Sequence, residues 1–316
     1  AIAKKLIDIA SKAGADFVKF QTFKTESLVT QHAKKAFYQN KSHSKNNNQF
    51  NMLKKLEFNN KQFKILLNYC KFKKIKFLST PFDIDSIKLL DDLKLKYFKI
   101  ASGEITNLPY LIEIAKLNKK IFLSTGMSSI EEIEKTLKIL TKFGTPKKNI
   151  TLLHCNSEYP TPDSDANLRA INTMEKKFKI NIGYSDHTLG NEASILAVSL
   201  GATVIEKHLT LNKNMKGPDH SSSSNPSEFQ QLVKSINKVQ ILFGTGIKKP
   251  SKSEKKNIIA IRKSIVAISN IKKGEKFSNL NIGVKRPGGG ISPMKFFDIL
   301  GCKSNKNYKN GDLIKC

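Results

Sequence analysis

The chain has 316 residues, 39% of them hydrophobic, enough for one large domain or one domain with a small appendage, and for a substantial core. It carries 55 Lys and Arg against 26 Asp and Glu, a formal net charge of +29, yet its arginines are just Arg169, Arg262 and Arg286. The lysines are dispersed through every helix-like segment, which argues against a nucleic-acid reader and leaves attraction of small anions as the consequence of the charge.

The opening AIAKKLIDIASKAGA reads as a helix broken by Lys4, Lys5 and Asp8, so it is no secretory leader. No run approaches the roughly 18 apolar residues of a membrane span, so no membrane partner is expected. Strand-like runs then alternate with helical patterns: DFVKFQT (16–22), KIKFLST (74–80), KYFKIAS (96–102), KIFLST (120–125), NITLLHCNS (149–157), INIGYSD (180–186) and TVIEKHLT (203–210). Such alternation predicts parallel strands covered by helices, in a doubly wound sheet or a closed barrel. No Gly-rich dinucleotide turn follows the first run. Seven runs preceded by a helix become eight with one more strand upstream, the barrel number. The expected fold is therefore an α/β TIM (β/α)8 barrel over 1–244, lacking its first strand in this chain. Residues 245–262, beginning TGIKKPSKSEKKN, read as a polar linker. Residues 263–316 read as a small β-rich module with Lys-Gly, Pro-Gly-Gly-Gly and Asn-Gly turns. Cys70, Cys155, Cys302 and Cys316 make neither a metal-type pair nor a disulfide framework, which favours a reduced, cytoplasmic setting.

A parallel barrel collects its chemistry where the strands end. The runs end in Lys19, Gln21 and Thr22; Ser79 and Thr80; Lys99, Ser102 and Glu104; and Ser124 and Thr125. Later ends offer His154, Ser157 and Tyr159, then Ser185, Asp186 and His187, then Glu206, Lys207 and His208. Any one hydroxyl here is ordinary turn chemistry. Together, two lysines and several hydroxyls make a cradle for a phosphate-bearing anion. His187 and His208 end successive strands and are read as a metal pair beside Asp186, Glu206 and Asp219, with waters or carboxylates completing the shell. His154, inside LLHC, reads as a satisfied interior histidine. A Schiff-base role for Lys19 or Lys99 is a rival enzyme reading, but it leaves the histidine pair unexplained.

The ordered motifs VKFQTFK, FLSTPFD, FKIASGEITNLPYL, LSTGMSSIEEI, LLHCNSEYPTP, GYSDHT, VIEKHLTL and GPDH resemble those of bacterial sialic acid synthases. The tail IKKGEKFSNLNIGVKRPGGGISP resembles their antifreeze-like, or SAF, domain. The resemblance implies a metal-dependent transferase that condenses phosphoenolpyruvate with an N-acetylated amino sugar and water, releasing phosphate. N-acetylmannosamine is the leading sugar. The alternative is 2,4-diacetamido-2,4,6-trideoxymannose, the substrate of N,N′-diacetyllegionaminate synthases. It further implies that His187 and His208 hold the divalent metal, Mn2+ first, with Mg2+ or Co2+ as alternatives. Lys19, Lys99, Thr80, Ser102, Ser124 and Ser185 would surround phosphoenolpyruvate, Lys99 with a catalytic part. Gln21, Tyr159 and Asp219 would face the sugar, and Glu104 would be an acid/base or orienting carboxylate. Arg286 would reach the sugar's N-acetyl group from the partner of a domain-swapped homodimer. The family's opening segment, with its glutamate, is missing from the motifs. Asn156 replaces a more usual Thr, and HSSSSNP departs from the family wording near the sugar pocket. A non-catalytic sugar-phosphate binder is the reading from another class. Ice binding rests on fold likeness alone and is set aside.

Overall fold

The computed structural model describes residues 1–34 and 48–315. They form two compact units, Ala1–Gly244 and Thr245–Cys316. In the first unit each of the seven strand-like runs contains a strand: β1 (Phe17–Thr22), β2 (Lys76–Pro81), β3 (Tyr97–Ile100), β4 (Lys120–Ser124), β5 (Ile150–Cys155), β6 (Asn181–Asp186) and β7 (Ile205–Lys207). Every ladder among them is parallel: β1 pairs with β2, and β3 to β7 pair in sequence order. Side chains join the two ladders. The Phe17 and Tyr97 rings lie 5.0 Å apart, and the Tyr110 hydroxyl donates to the Pro81 carbonyl at 2.9 Å.

The strands carry apolar residues on one parity and polar residues on the other. Val18, Phe77, Phe98, Ile100, Leu123, Leu152 and Ile182 join a core with the covering helices. Lys19, Gln21, Thr80, Lys99, Ser124, Cys155, Ser185 and Glu206 have the opposite parity and share the other face. The helices are built to match. In Ile130–Lys142 a Ser129/Glu132 capping box satisfies the first turn, and Ile133, Thr136, Leu137 and Leu140 are buried at helical spacing. Asn59 and Gln62 cap Asn60–Phe72 in the same way, which buries Phe63, Leu66 and Cys70. Each fully buried Leu, Ile or Phe of this core contributes about 1.5–3 kcal/mol. The sheet curls far enough that Lys19 Nζ on β1 lies 3.5 Å from the Glu206 carboxylate on β7, joining the first and last strands.

Every strand is shorter than its run, β3 and β7 most so in proportion. β3 stops at Ile100 because the chain turns into a 3-10 segment, Ser102–Glu104. β7 has three residues because β6 ends at Asp186, its last ladder partner. Beyond it, the His208 carbonyl accepts from Ser224 N at 2.8 Å.

In the second unit the stretch expected as linker carries a helix, Lys252–Ile261, capped by a Ser251/Glu254 box. Beyond it β8 (Ser264–Ala267) and β9 (Ile282–Lys285) form an antiparallel pair. Further pairing is limited to isolated bridges such as Ile271 to Tyr308 and Lys276 to Lys303, because the turn residues recur too closely for long strands. Ile265, Ile271, Phe277, Ile282, Tyr308 and Ile314 make its own small core. Among the described residues no helix is long and apolar enough to cross a membrane.

Candidate active site

The polar face converges on Glu206. Its carboxylate lies 3.3 Å from Lys99 Nζ and 3.5 Å from Lys19 Nζ, and it accepts from Ser185 Oγ at 2.8 Å. Burial would raise the Glu206 pKa, but the two ammonium groups and the Ser185 bond outweigh it and hold the acid well below the usual carboxylate range. Burial lowers the pKa of Lys99, whose side chain is 4% exposed, and Glu206 opposes that shift. The sequence placed Glu206 beside the histidine pair and gave no sign of its two lysine partners. The signal that could have set it on the polar face is its parity, shared with His208 two residues on.

One residue beyond the ends of β6 and β7, the His187 and His208 rings stand edge to face with centroids 5.3 Å apart. The Tyr159 ring stacks on His187 at 4.0 Å, and its hydroxyl is 3.1 Å from His187 Nε2. His187 Nδ1 bonds the Asn156 carbonyl, an arrangement in which Nδ1 carries the proton and Nε2 keeps its lone pair. Burial pushes His187 down to about 4 and His208, with help from Lys19, down to about 3, so both are neutral at pH 7. Two neutral imidazoles, one with its other nitrogen already fixed, suit a divalent cation of the Mn, Co or Zn class.

The expected carboxylates do not complete that donor set. Asp186 points to the opposite face, where it pairs with Lys207 at 2.8 Å, and Glu206 is engaged with the lysines. Among the described residues no group of three or more His, Cys, Asp or Glu is disposed to hold a metal. The pair therefore fits a cation whose remaining positions are filled by water or substrate oxygens, the open form of a catalytic site.

Several of the hydroxyls expected to meet a ligand are short of partners. Thr80 Oγ1 and Ser124 Oγ are buried without a hydrogen bond, as is Asp219 Oδ1. Buried polar atoms are nearly always bonded, so these three fit a partner such as a ligand or water oxygen. Burial raises the Asp219 pKa, and its backbone is left-handed at φ 65°. Ser102 Oγ accepts from Gly126 N at 2.9 Å and touches Cys155 Sγ at 3.2 Å. A Cβ at Gly126 would lie 2.5 Å from Ser157 Oγ and 2.9 Å from Ser102 Oγ, so a larger residue there would displace these hydroxyls. Glu104 is buried, and desolvation raises its pKa against one bond from Asn107 at 2.7 Å.

Three further residues were singled out by the sequence. Gln21 has the right parity but is exposed. Arg286 is an exposed residue of the second unit, before a cis proline. His154 faces the covering side, bonded to the Ala166 carbonyl at 2.8 Å and stacked on Tyr184, as expected of a satisfied histidine.

Residues 6–248 match the NeuB family. An N,N′-diacetyllegionaminic acid synthase of Campylobacter jejuni is 54% identical over 314 residues, 99% of this chain and 94% of that protein. The enzyme of the same name from Legionella pneumophila is 39% identical over 99% of this chain and 88% of that protein. The crystal structure of N-acetylneuraminic acid (sialic acid) synthetase from Leptospira borgpetersenii, in complex with citrate, superposes with a TM-score of 0.70 at 35% identity, covering 81% of this chain and 84% of that one. The match to the family and the near full-length identities agree with the site geometry, and the chain belongs to the NeuB family.

Proposed function

We propose that the chain is a sialic acid synthase, an enzyme that joins phosphoenolpyruvate to N-acetylmannosamine and water to give N-acetylneuraminate and phosphate. The observation that carries this reading is the meeting of Lys19, Lys99 and Glu206 with two neutral imidazoles on one face of the curled sheet, in a chain of this family. Lys19 and Lys99 would take the phosphate, with Thr80, Ser102, Ser124 and Ser185 as hydroxyl partners. Two ammonium groups facing the leaving phosphate stabilise its charge in a water-poor pocket, help worth several kcal/mol. Glu104, with its raised pKa, is suited to hold a proton for the alkoxide formed when C3 of phosphoenolpyruvate adds to the sugar aldehyde. Tyr159, whose ring stacks on His187, is assigned to that sugar together with Asp219 and Gln21, all three from the family motifs. The chemistry supplied by a divalent cation held between His187 and His208, Mn2+ first, is Lewis-acid polarisation of the aldehyde oxygen.

The same reading gives Ala1–Gly244 a TIM-barrel architecture and the second unit an SAF fold. It also gives a homodimer in which Arg286 of the partner subunit serves the sugar, in a cytoplasmic enzyme. The test is phosphate release from phosphoenolpyruvate and N-acetylmannosamine, with and without EDTA. Sugar-dependent release that EDTA abolishes is expected; its absence at saturating Mn2+ rejects N-acetylmannosamine as the substrate, and its absence with 2,4-diacetamido-2,4,6-trideoxymannose as well rejects the synthase.

The 54% identity to an N,N′-diacetyllegionaminic acid synthase favours a second reading of the sugar, 2,4-diacetamido-2,4,6-trideoxymannose. A competition between the two sugars, read by product mass, decides between them.

A further inference from the structure

Behind the two imidazoles, on the opposite face of the sheet, lies a charge pair that the proposed chemistry does not use. Asp186 and Lys207 are the last ladder partners of β6 and β7, and the next residue on each strand is His187 or His208. Lys207 Nζ donates to Asp186 Oδ2 at 2.8 Å and to the Thr188 carbonyl at 2.7 Å. The Asp186 carboxylate also accepts from Thr188 N at 2.8 Å, Thr188 Oγ1 at 2.7 Å and Ser194 Oγ at 2.6 Å. The two side chains are 0% and 3% exposed.

A buried ion pair is poor evidence for stability, since desolvation offsets most of its attraction, and its better attested use is to fix one arrangement. Something must fix this one. β7 offers three ladder positions, so its backbone alone holds the end of the strand weakly. Slippage there would move His208 relative to His187. The pair, with Thr188 and with Ser194 from the covering helix, clamps both strand ends one residue before the imidazoles.

We infer that Asp186 and Lys207 are positioning residues that set the separation of His187 and His208 and thereby the affinity of that pair for a divalent cation. The inference rests on the metal-holding part of the proposed function. Supporting groups of this kind change metal affinity by about 10–100-fold when removed.

The test measures Mn2+ binding to the full chain, from the EPR signal of free Mn2+, together with the unfolding temperature. Asp186→Asn and Lys207→Met each leave an unpaired buried partner and lower both. The double variant D186N/K207M removes both charges, so its unfolding temperature recovers toward wild type. A merely structural pair would recover Mn2+ affinity with it. The positioning role predicts that affinity stays about tenfold or more below wild type. Affinity within twofold of wild type in the folded double variant overturns the inference. Should the double variant not fold, Thr188→Val keeps the pair and deletes one bond to Asp186. About threefold weaker binding supports the clamp, and unchanged affinity overturns it. Wild-type protein with no saturable Mn2+ binding that His208→Ala removes would sink the metal reading and the clamp together. Wild-type binding matched by the double variant sinks the clamp alone.

Discussion

Thr80 and Ser124 place a hydroxyl each in a buried position with nothing to bond. An unsatisfied buried hydroxyl costs about 1–3 kcal/mol, so a fold keeps one only where something else is gained. Thr80→Val is therefore expected to hold or raise the melting temperature of the free protein while raising KM for phosphoenolpyruvate several-fold. A lower melting temperature with unchanged KM would show that Thr80 serves packing. His208→Ala is expected to reduce phosphate release by about a thousandfold or more while leaving far-UV circular dichroism unchanged. Retained turnover would take His208 out of the catalytic centre. The polar strand ends were readable because hydroxyls and charges interrupt apolar runs at the same point in each repeat. Which way each one faces was harder to read. Asp186 and His187 are neighbours, yet one faces the covering helices and the other the polar face, because side chains alternate along a strand.

Among the elements, one carboxylate between β1 and β2 gathers four donors. Glu57 accepts from Thr25 N at 3.1 Å, Thr25 Oγ1 at 3.0 Å, Lys24 Nζ at 3.0 Å and Lys54 Nζ at 3.3 Å. Burial alone would raise its pKa, but these donors bring it from the usual 4.5 down to about 2. A carboxylate with a depressed folded-state pKa adds stability that is complete above 4.5 and fades as pH falls toward 2. Melting curves across that window should show a steep acid limb that Glu57→Gln flattens, whereas an identical limb in the variant would exclude Glu57 as its source. Elements with a strong period were legible: all seven runs contain strands. Lys252–Ile261 was hidden by its lysine-rich composition, although Ser251 and Glu254 spell a capping box. The length of β7 was not legible, because it is set by where β6 stops.

At the scale of the whole molecule, alternation of strand and helix pointed to a parallel sheet, and the order of β3 to β7 follows the chain. The contact of Lys19 with Glu206 is a product of the curl, and no local pattern reports it. The net charge of +29 also acts at this scale. A positive field gathers anions and is screened by salt, with a Debye length of about 10 Å at 0.1 M falling to about 3 Å at 1 M. Raising salt tenfold from low ionic strength is expected to increase KM for phosphoenolpyruvate about threefold or more, with a smaller effect on kcat. A KM indifferent to salt would confine the attraction to the residues in direct contact.

Glu206 gives the polar face an anion of its own. Two ammonium groups held face to face would repel each other and splay outward, but a carboxylate between them keeps both aimed at one spot before any visitor arrives. A newcomer must then outcompete a resident rather than fill a void. That contest is expected to favour guests bearing more than one negative charge over singly charged ones.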